Sequence, residues 1–151
     1  MLQLATANDR DAVNELARQL NRLRVRWRPD LYEMAEELYP QDRFEAELKA
    51  RQLYVAKIDS FLVGYVLLKQ TICDQPGMVR RKILYLEELC VQEACRDQGL
   101  GKEMVADVVA LAKAFGCTDL QLGVYPHNDN AVGFFQKCGF TIRSIEMQRK
   151  V

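Results

Sequence analysis

The sequence is short of histidine, of paired cysteines and of net charge, and each shortage excludes something. His127 is the only histidine, so a zinc site is not expected and no metal is assigned. The five cysteines, Cys73, Cys90, Cys95, Cys117 and Cys138, are odd in number and form no CxxC pair. That usage predicts buried, reduced thiols in a cytoplasmic protein. The 21 basic residues cancel the 21 acidic ones, so nothing global points to nucleic acid or to an anionic membrane as partner. No apolar run approaches the roughly 18–20 residues needed to span a bilayer. The opening "MLQLATANDRDAV" has neither a basic stretch nor a sustained apolar one, so no secretion signal is expected. Repeats, low-complexity tracts and Gly/Ser/Pro-rich linkers are also missing, which predicts one domain over residues 1–151.

What is present is a core-forming chain, 49% hydrophobic, with clear periodicities. "LQLATA" reads as a short first strand. Asn8 then caps a helix with Val13, Leu16, Leu20 and Leu23 on one side. Pro29 breaks that run, and "DLYEMAEELY" and "DRFEAELKARQ" read as one or two short helices. "LYVAKI", "FLVGYVLLKQ" and "KILYLEELCV" are β-rich and closely joined, which predicts an antiparallel meander. From Gly99, the residues Leu100, Met104, Val108, Leu111 and Phe115 form a helical stripe that Gly116 ends. "DLQLGVY" follows as a strand, "NDNAVGFFQKC" as a short helix and "FTIRSIEMQRKV" as a last strand. This order predicts an α/β fold with a mixed sheet and helices on both faces.

The segment "RDQGLGKE" stands where a strand hands over to a helix. Gly99 and Gly101 allow backbone angles closed to other residues and let a ligand approach the main chain. The helix start adds unpaired N–H groups and a partial positive charge, with Arg96 and Lys102 beside it. The combination suits a phosphate, most simply a pyrophosphate. It is neither a P-loop, because Glu103 follows Lys102, nor a dinucleotide fingerprint, because Met104 holds the third glycine position. On its own it reads as readily as an ordinary turn.

Its surroundings narrow the reading. "LEELCVQEACRDQGLGKEMV" followed by "LQLGVYPHNDNAVGFFQKCGF" resembles the GNAT superfamily of acyl-CoA-dependent N-acyltransferases, over residues 83 to 140. The family's [Q/R]xxGx[G/A] signature falls on Arg96, Gly99 and Gly101, and its downstream motif on Asn128, Ala131, Phe135 and Gly139-Phe140. The resemblance implies acetyl-CoA as co-substrate, without a metal. It also implies that the strand from Glu87 to Val91 bulges and splays away from "DLQLGVY". The pantetheine arm would enter there, along Leu89, Cys90 and Val91. Asp97, Gln98, Gly99, Leu100, Gly101 and Lys102 would surround the pyrophosphate, with Arg96 adding charge. Asn128 and Phe135 would lie against the coenzyme.

An amine attacks a thioester only when deprotonated, and at a free pKa near 10.4 only about one in a few thousand is neutral at pH 7. A strand carboxylate can accept that proton. Alternation sends Glu87 and Glu88 to opposite faces, so one of them at most meets the cleft. Relatives, diamine acetyltransferases among them, carry a general base at the position of Glu87. The alternative for Glu87 is a solvated or ion-paired strand carboxylate. The backbone N–H of Leu89 would hold the oxyanion. Where relatives often carry a tyrosine that protonates the leaving thiolate, this sequence has Phe135. Tyr125 and Tyr85 are substitutes, although Tyr125 also reads as a cleft-lining residue. Cys90 and Cys138 lack a histidine partner and read as core thiols rather than nucleophiles.

The acceptor is not legible. "RLRVRWRPD" would attract an acidic acceptor or the coenzyme's 3′-phosphate, and the acidic run from Glu33 to Glu47 a polyamine or aminoglycoside. Each reads equally as a solvated face. The expected function is acetyl transfer to a primary amine of a small molecule or peptide. The alternative is an acyl-CoA-binding sensor or partner-binding module without turnover. Eleven residues follow Phe140, room for one strand, and that strand predicts pairing into a homodimer.

Overall fold

The computed structural model describes residues 1–151 apart from the side chain of Asp129. In chain order the elements are β1 (Leu2–Leu4), α1 (Arg10–Trp27), α2 (Gln41–Lys49), β2 (Leu53–Ile58) and β3 (Phe61–Cys73). Then come β4 (Arg81–Val91), α3 (Leu100–Ala114), β5 (Asp119–Leu122) and α4 (Asp129–Lys137). The strands lie in the order β1-β2-β3-β4-β5. All neighbours are antiparallel except β4 and β5, which α3 connects as a parallel pair. Among the described residues no helix is long and apolar enough to cross a membrane.

Strand alternation divides the core into two layers. Val13, Leu16 and Ala17 of α1 pack with Phe44 of α2 against Leu53, Val55, Tyr65 and Leu67. On the opposite face the stripe Leu100, Met104 and Val108 of α3 packs against Tyr54, Ala56, Val66, Leu68, Leu84 and Leu86. Helices on both faces of a mixed sheet agree with the α/β expectation.

The two-residue period of β4 is broken once. Leu67 pairs with Glu88 and Leu68 with Leu86, so Glu87 is an extra residue without an opposite number. Before this bulge the even residues Leu84 and Leu86 face α3. After it, even Cys90 faces α1, and odd Leu89 and Val91 turn toward α3. Glu87 reaches Lys69, which shares its side of β3 with Leu67 and Tyr65, and Glu88 reaches Arg24 of α1. The expectation that alternation separates the two glutamates therefore fails, because a bulge places both on the α1 side.

Three local expectations also change. The cap lies at Thr6, before a single 3-10 turn (Ala7–Asp9) that leads into α1, rather than at Asn8: the Asp9 carboxylate accepts from the Thr6 N–H at 2.8 Å and Oγ1 at 3.2 Å. Lys57 adds an ion pair at 2.8 Å. "DLYEMAEELY" is not a helix, because α1 takes up its backbone groups. Asn14 pairs with both N–H and C=O of Tyr39, at 2.8 and 3.0 Å. Asn21 accepts from Ala35 N–H and donates to the Glu33 carbonyl, each at 3.1 Å. "FTIRSIEMQRKV" pairs with no strand of this chain, so its place as a last strand of the sheet is not met within one copy. Of the cysteines, only Cys90 is buried; the other four are half-buried and all five are free.

The asparagine pairs make a test. Asn14→Ala leaves a buried N–H and a buried C=O without partners, so it should cost about 2–6 kcal/mol at roughly 1–3 kcal/mol per group. Urea unfolding measures it, and a loss below that range would mean water or a neighbour replaces the amide.

Candidate active site

Pairing between β4 and β5 ends at Leu86 and Leu122. Beyond that point β4 continues to Val91 beside β3 alone, leaving its other edge open. The Gln92 N–H donates to the Val63 carbonyl of β3 at 2.7 Å. Backbone groups alternate along a strand, so Cys90 also points toward β3, and Leu89 and Val91 point into the opening. The Val91 carbonyl is taken by Arg96 Nε at 3.2 Å. The N–H and C=O of Leu89 and the N–H of Val91 are thus presented at the fork.

The turn that leaves β4 leads straight to the start of α3. Asp97 has φ +63° and Gly99, the residue before the helix, has φ +83°. A side chain on Gly99 would have space but not the backbone angle. Gly101 is constrained differently. A Cβ there would lie 3.2 Å from Phe134 Cζ and 3.8 Å from Val91 Cγ2, so it is the seat of α4 on α3. The first intrahelical bond runs from the Glu103 N–H to the Gly99 carbonyl. The N–H groups of Leu100, Gly101 and Lys102 precede it and have no helical acceptor. Asp97 and Gln98 lie in the same turn, and Arg96 shares a groove of about 140 Å3 with Gln19, Arg22 and Arg26 of α1.

At the bulge the two carboxylates have different surroundings. Glu88 is 11% exposed and bonded to Arg24 at 3.1 Å, to the Tyr39 hydroxyl and to the Tyr65 hydroxyl at 3.5 Å. Burial, then the nearby Glu88 charge, push both phenols far above their ordinary values, so they stay protonated donors. Glu87 is 36% exposed, with Lys69 at 3.5 Å as its ion pair. One carboxylate is committed to structure and the other remains accessible.

Just past the end of β5, the Tyr125 hydroxyl lies 2.8 Å from that of Tyr32. That hydrogen bond, with partial burial, raises the Tyr125 phenol above its usual range. His127 stacks on Tyr125 and meets Trp27 edge-on. Arg28 lies over the Tyr125 ring and pairs with Asp30 at 2.7 Å, and the hydrogen bond from Arg28 holds the Asp30 carboxyl down to about 2. Tyr85 is half-buried, its hydroxyl 3.0 Å from where a Cβ on Gly123 would stand. Asn128 Oδ1 accepts from the Ala131 N–H at 3.4 Å and caps α4. Phe135 packs between Phe134 and Phe140. The Cys90 thiol is pushed up to about 11 by burial and donates to the Leu16 carbonyl, a core role.

The structure thus sets Glu87, Leu89, Val91, Arg96 and the 97–102 turn in succession along β4 and the turn that leaves it, with Tyr125 just past the end of β5. Arg24, Tyr39, Tyr65 and Tyr32 were not singled out by sequence. Arg24 is concealed in an arginine run, and tyrosines at core spacing carry no linear signal.

An open strand edge running into an anion-ready helix start is the geometry that distinguishes this fold. The acetyltransferase (GNAT) family model matches residues 17–140, and the chain belongs to that family. The uncharacterized N-acetyltransferase YvbK of Bacillus subtilis (strain 168) is 28% identical over 70% of this chain and 63% of its own. Glucosamine 6-phosphate N-acetyltransferase 1 of Oryza sativa subsp. japonica is 28% identical over 70% of this chain and 64% of its own. The chain thus spans somewhat under two thirds of these relatives. Among solved structures, a tetramutant of BH1408 protein from Bacillus halodurans superposes with a TM-score of 0.93 at 24% identity, covering 100% of this chain and 99% of that one. Aminoglycoside N-acetyltransferase AAC(6')-Iy, in complex with CoA, superposes at 0.72 with 17% identity, covering 100% of both chains. These neighbours share the fold.

Unfolding separates the carboxylates. Glu88→Ala strands Arg24 and two phenols and should cost about 3–5 kcal/mol, the range for breaking a buried ion pair. Glu87→Gln should change stability by less than about 1 kcal/mol, as for an exposed pair. Equal losses would contradict this division.

Proposed function

We propose that residues 1–151 form a single N-acetyltransferase domain that moves the acetyl group of acetyl-CoA directly onto a primary amine. The observation that carries this is the open β4 edge running into the 97–102 turn, with an accessible carboxylate at the fork. The Leu89 and Val91 backbone suits the amides of a pantetheine arm, as an added strand would. The N–H groups of Leu100, Gly101 and Lys102 suit a pyrophosphate, with Arg96, Arg22 and Arg26 supplying positive charge nearby. Asp97, Gln98, Asn128 and Phe135 frame the same turn and the α4 surface beside it.

Glu87 takes the proton from the attacking ammonium, directly or through water, and the amine adds to the thioester carbonyl. The Leu89 N–H donates to the oxygen as it becomes negative. Collapse breaks the C–S bond, and the nitrogen loses its second proton to solvent as the amide forms and the thiolate leaves. A thiol of pKa near 8.5 leaves without a dedicated acid, so Phe135 is no obstacle and solvent can return the proton. Tyr125, with its raised phenol and its bond to Tyr32, is the side chain available for that step. No metal takes part.

The acceptor is a small molecule or peptide amine. The relatives' names point the same way: they specify glucosamine 6-phosphate, an aminoglycoside and, for one, phosphinothricin. We place the protein in the cytoplasm, without nucleic acid or membrane, as a homodimer through its C-terminal strand. A non-catalytic acyl-CoA-binding module is the second reading, which Phe135 favours.

Thiol release from acetyl-CoA across a panel of polyamines, aminoglycosides, amino sugars and peptides tests turnover. Glu87→Gln should lower it about 10²–10⁴-fold with coenzyme affinity unchanged. Wild-type turnover retained in Glu87→Gln would remove Glu87 as base, and no turnover with any amine despite tight binding would favour the second reading. Gly99→Val should weaken coenzyme binding in calorimetry by tenfold or more, because valine resists φ +83°. Phe135→Tyr should alter turnover by less than about tenfold, since thiolate departure needs little help.

A further inference from the structure

Glu87 already has a primary amine beside it. Lys69 Nζ lies 3.5 Å from Glu87 Oε2, and both side chains are open to water, at 41% and 36% exposure. Lys69 stands in β3 opposite Tyr85, and Tyr85 pairs with Gln121 one rung before the last pair of β4 with β5. The lysine is therefore level with the closed end of the fork, and its stem reaches forward to the bulge where the fork opens. Among the described residues its ammonium makes no other ion pair. The other lysines in ion pairs are placed differently: Lys57 meets Asp9 before α1, and Lys150 meets Asp30. Neither of those carboxylates lies on β4. A pair between exposed charges contributes little to stability, so the fold itself does not require an ammonium at this point.

We propose that Lys69 is a site of self-acetylation: with no acceptor amine at Glu87, the protein transfers the acetyl group of acetyl-CoA to its own Lys69 Nζ. This rests on the catalytic reading above and adds a modification site to it. The Lys69 ammonium gives a proton to Glu87, directly or through water, and the freed lone pair adds to the thioester carbonyl carbon. A C–N bond forms, and the C–S bond breaks with its electron pair going to sulfur. Of the three ammonium protons, one stays on the amide, one ends on the sulfur and one is released to solvent. The products are N-acetylated Lys69 and the free coenzyme thiol, and nothing is oxidised or reduced.

Geometry favours this lysine. A base acts within about 2.6–3.2 Å of the group it deprotonates, or through one water. At 3.5 Å, Nζ needs only a small turn of a flexible four-carbon stem. An acceptor amine bound for the proposed reaction must also stand at Glu87, so it competes with Lys69 for one carboxylate. The tethered amine needs no binding step, and well-oriented intramolecular groups react at large effective concentrations. Acceptor bound at Glu87 therefore slows the self-reaction. Acetylation removes the lysine charge, so Glu87 then loses its ion pair and faces the next acceptor ammonium as an unpaired carboxylate.

Incubating the purified chain with acetyl-CoA and no acceptor, then mapping peptides by mass spectrometry, reads the site directly. Lys69 should gain an acetyl group at least about tenfold faster than the exposed Lys113 and Lys137, which report uncatalysed acetylation. Its rate per chain should not depend on protein concentration. Glu87→Gln should slow labelling of Lys69 about 10²-fold or more and leave Lys113 and Lys137 unchanged. Equal labelling of the three lysines, or unchanged labelling of Lys69 in Glu87→Gln, would assign the modification to uncatalysed chemistry and overturn the proposal. A rate that rises with protein concentration would mean transfer between copies and overturn the intramolecular step. The amine panel, run on the same samples, separates this from the catalytic reading. Turnover with Lys69 unlabelled in the absence of acceptor leaves the enzyme standing and overturns self-acetylation. Glu87-dependent labelling of Lys69 without turnover of any amine supports self-acetylation and removes the external acceptor.

Discussion

One extra residue in β4 sets the geometry of everything around it. In an unbroken strand Glu88 would follow Leu84 and Leu86 onto the α3 face. It would there meet Val66, Leu68 and Val108, with no partner for its charge. Burying an unpaired carboxylate among hydrocarbon costs several kcal/mol or forces protonation. The bulge at Glu87 turns Glu88 to the α1 side, where Arg24, Tyr39 and Tyr65 wait for it. The same residue ends the partnership of β4 with β5, whose last pair is Leu86–Leu122. Bulges bend a strand and increase its local twist. The polar network and the opening are therefore two consequences of a single insertion.

That coupling explains why the site divides as it does. Glu88 anchors the strand beyond the bulge to α1 and to the segment ending at Tyr39, which Asn14 holds in turn. With the strand fixed from that side, its outward groups at Leu89 and Val91 keep a set direction. Glu87, pushed out of register, is left with one long contact to Lys69. A base needs access and freedom to change charge, whereas an anchor needs burial and saturation. Adjacent glutamates in one strand meet these two requirements separately because the bulge gives them different depths on the same face, which is why the proposed base is Glu87 and not Glu88.

The parts of this that were legible in sequence are those governed by a period. The α3 stripe, the three-strand meander and the glycine-marked turn each follow from spacing, and residues 96–102 form the passage into α3 that the glycines predict. What was not legible is what breaks a period or joins distant residues. Alternation rules alone assign Glu87 and Glu88 to opposite faces, and nothing in "YLEEL" announces a bulge. The helical spacing of "DLYEMAEELY" is genuine, but it loses to Asn14 and Asn21, whose amides capture backbone groups that a helix would have used. Asn8 yields the cap to Thr6 because Asp9 satisfies the Thr6 groups and Lys57 of β2 in the same act.

The two opposed charge runs, basic in α1 and acidic just after it, resolve in the same way. They are each other's partners only in small part: Arg10 of α1 pairs with Glu37 and Arg18 donates to the Glu36 carbonyl, whereas within the basic run Arg28 takes Asp30 and Arg24 takes Glu88. Arg43 of α2 stands over the Tyr39 ring and 4.0 Å from Glu88. Neither run therefore projects its full charge into the fork. Arg22, Arg26 and Arg96 are absent from the ion pairs among the described residues, and they line the groove beside the 97–102 turn. Among the described residues Glu93 is the one carboxylate lining that groove, so net positive charge sits next to the anion-ready helix start. The opposite wall, built of Trp27, Tyr32, Tyr125 and His127 with a neutralised arginine, is aromatic. Long-range attraction would then act on the phosphate end of a bound ligand, while the acceptor would be sorted at short range by shape, ring faces and the hydroxyl pair.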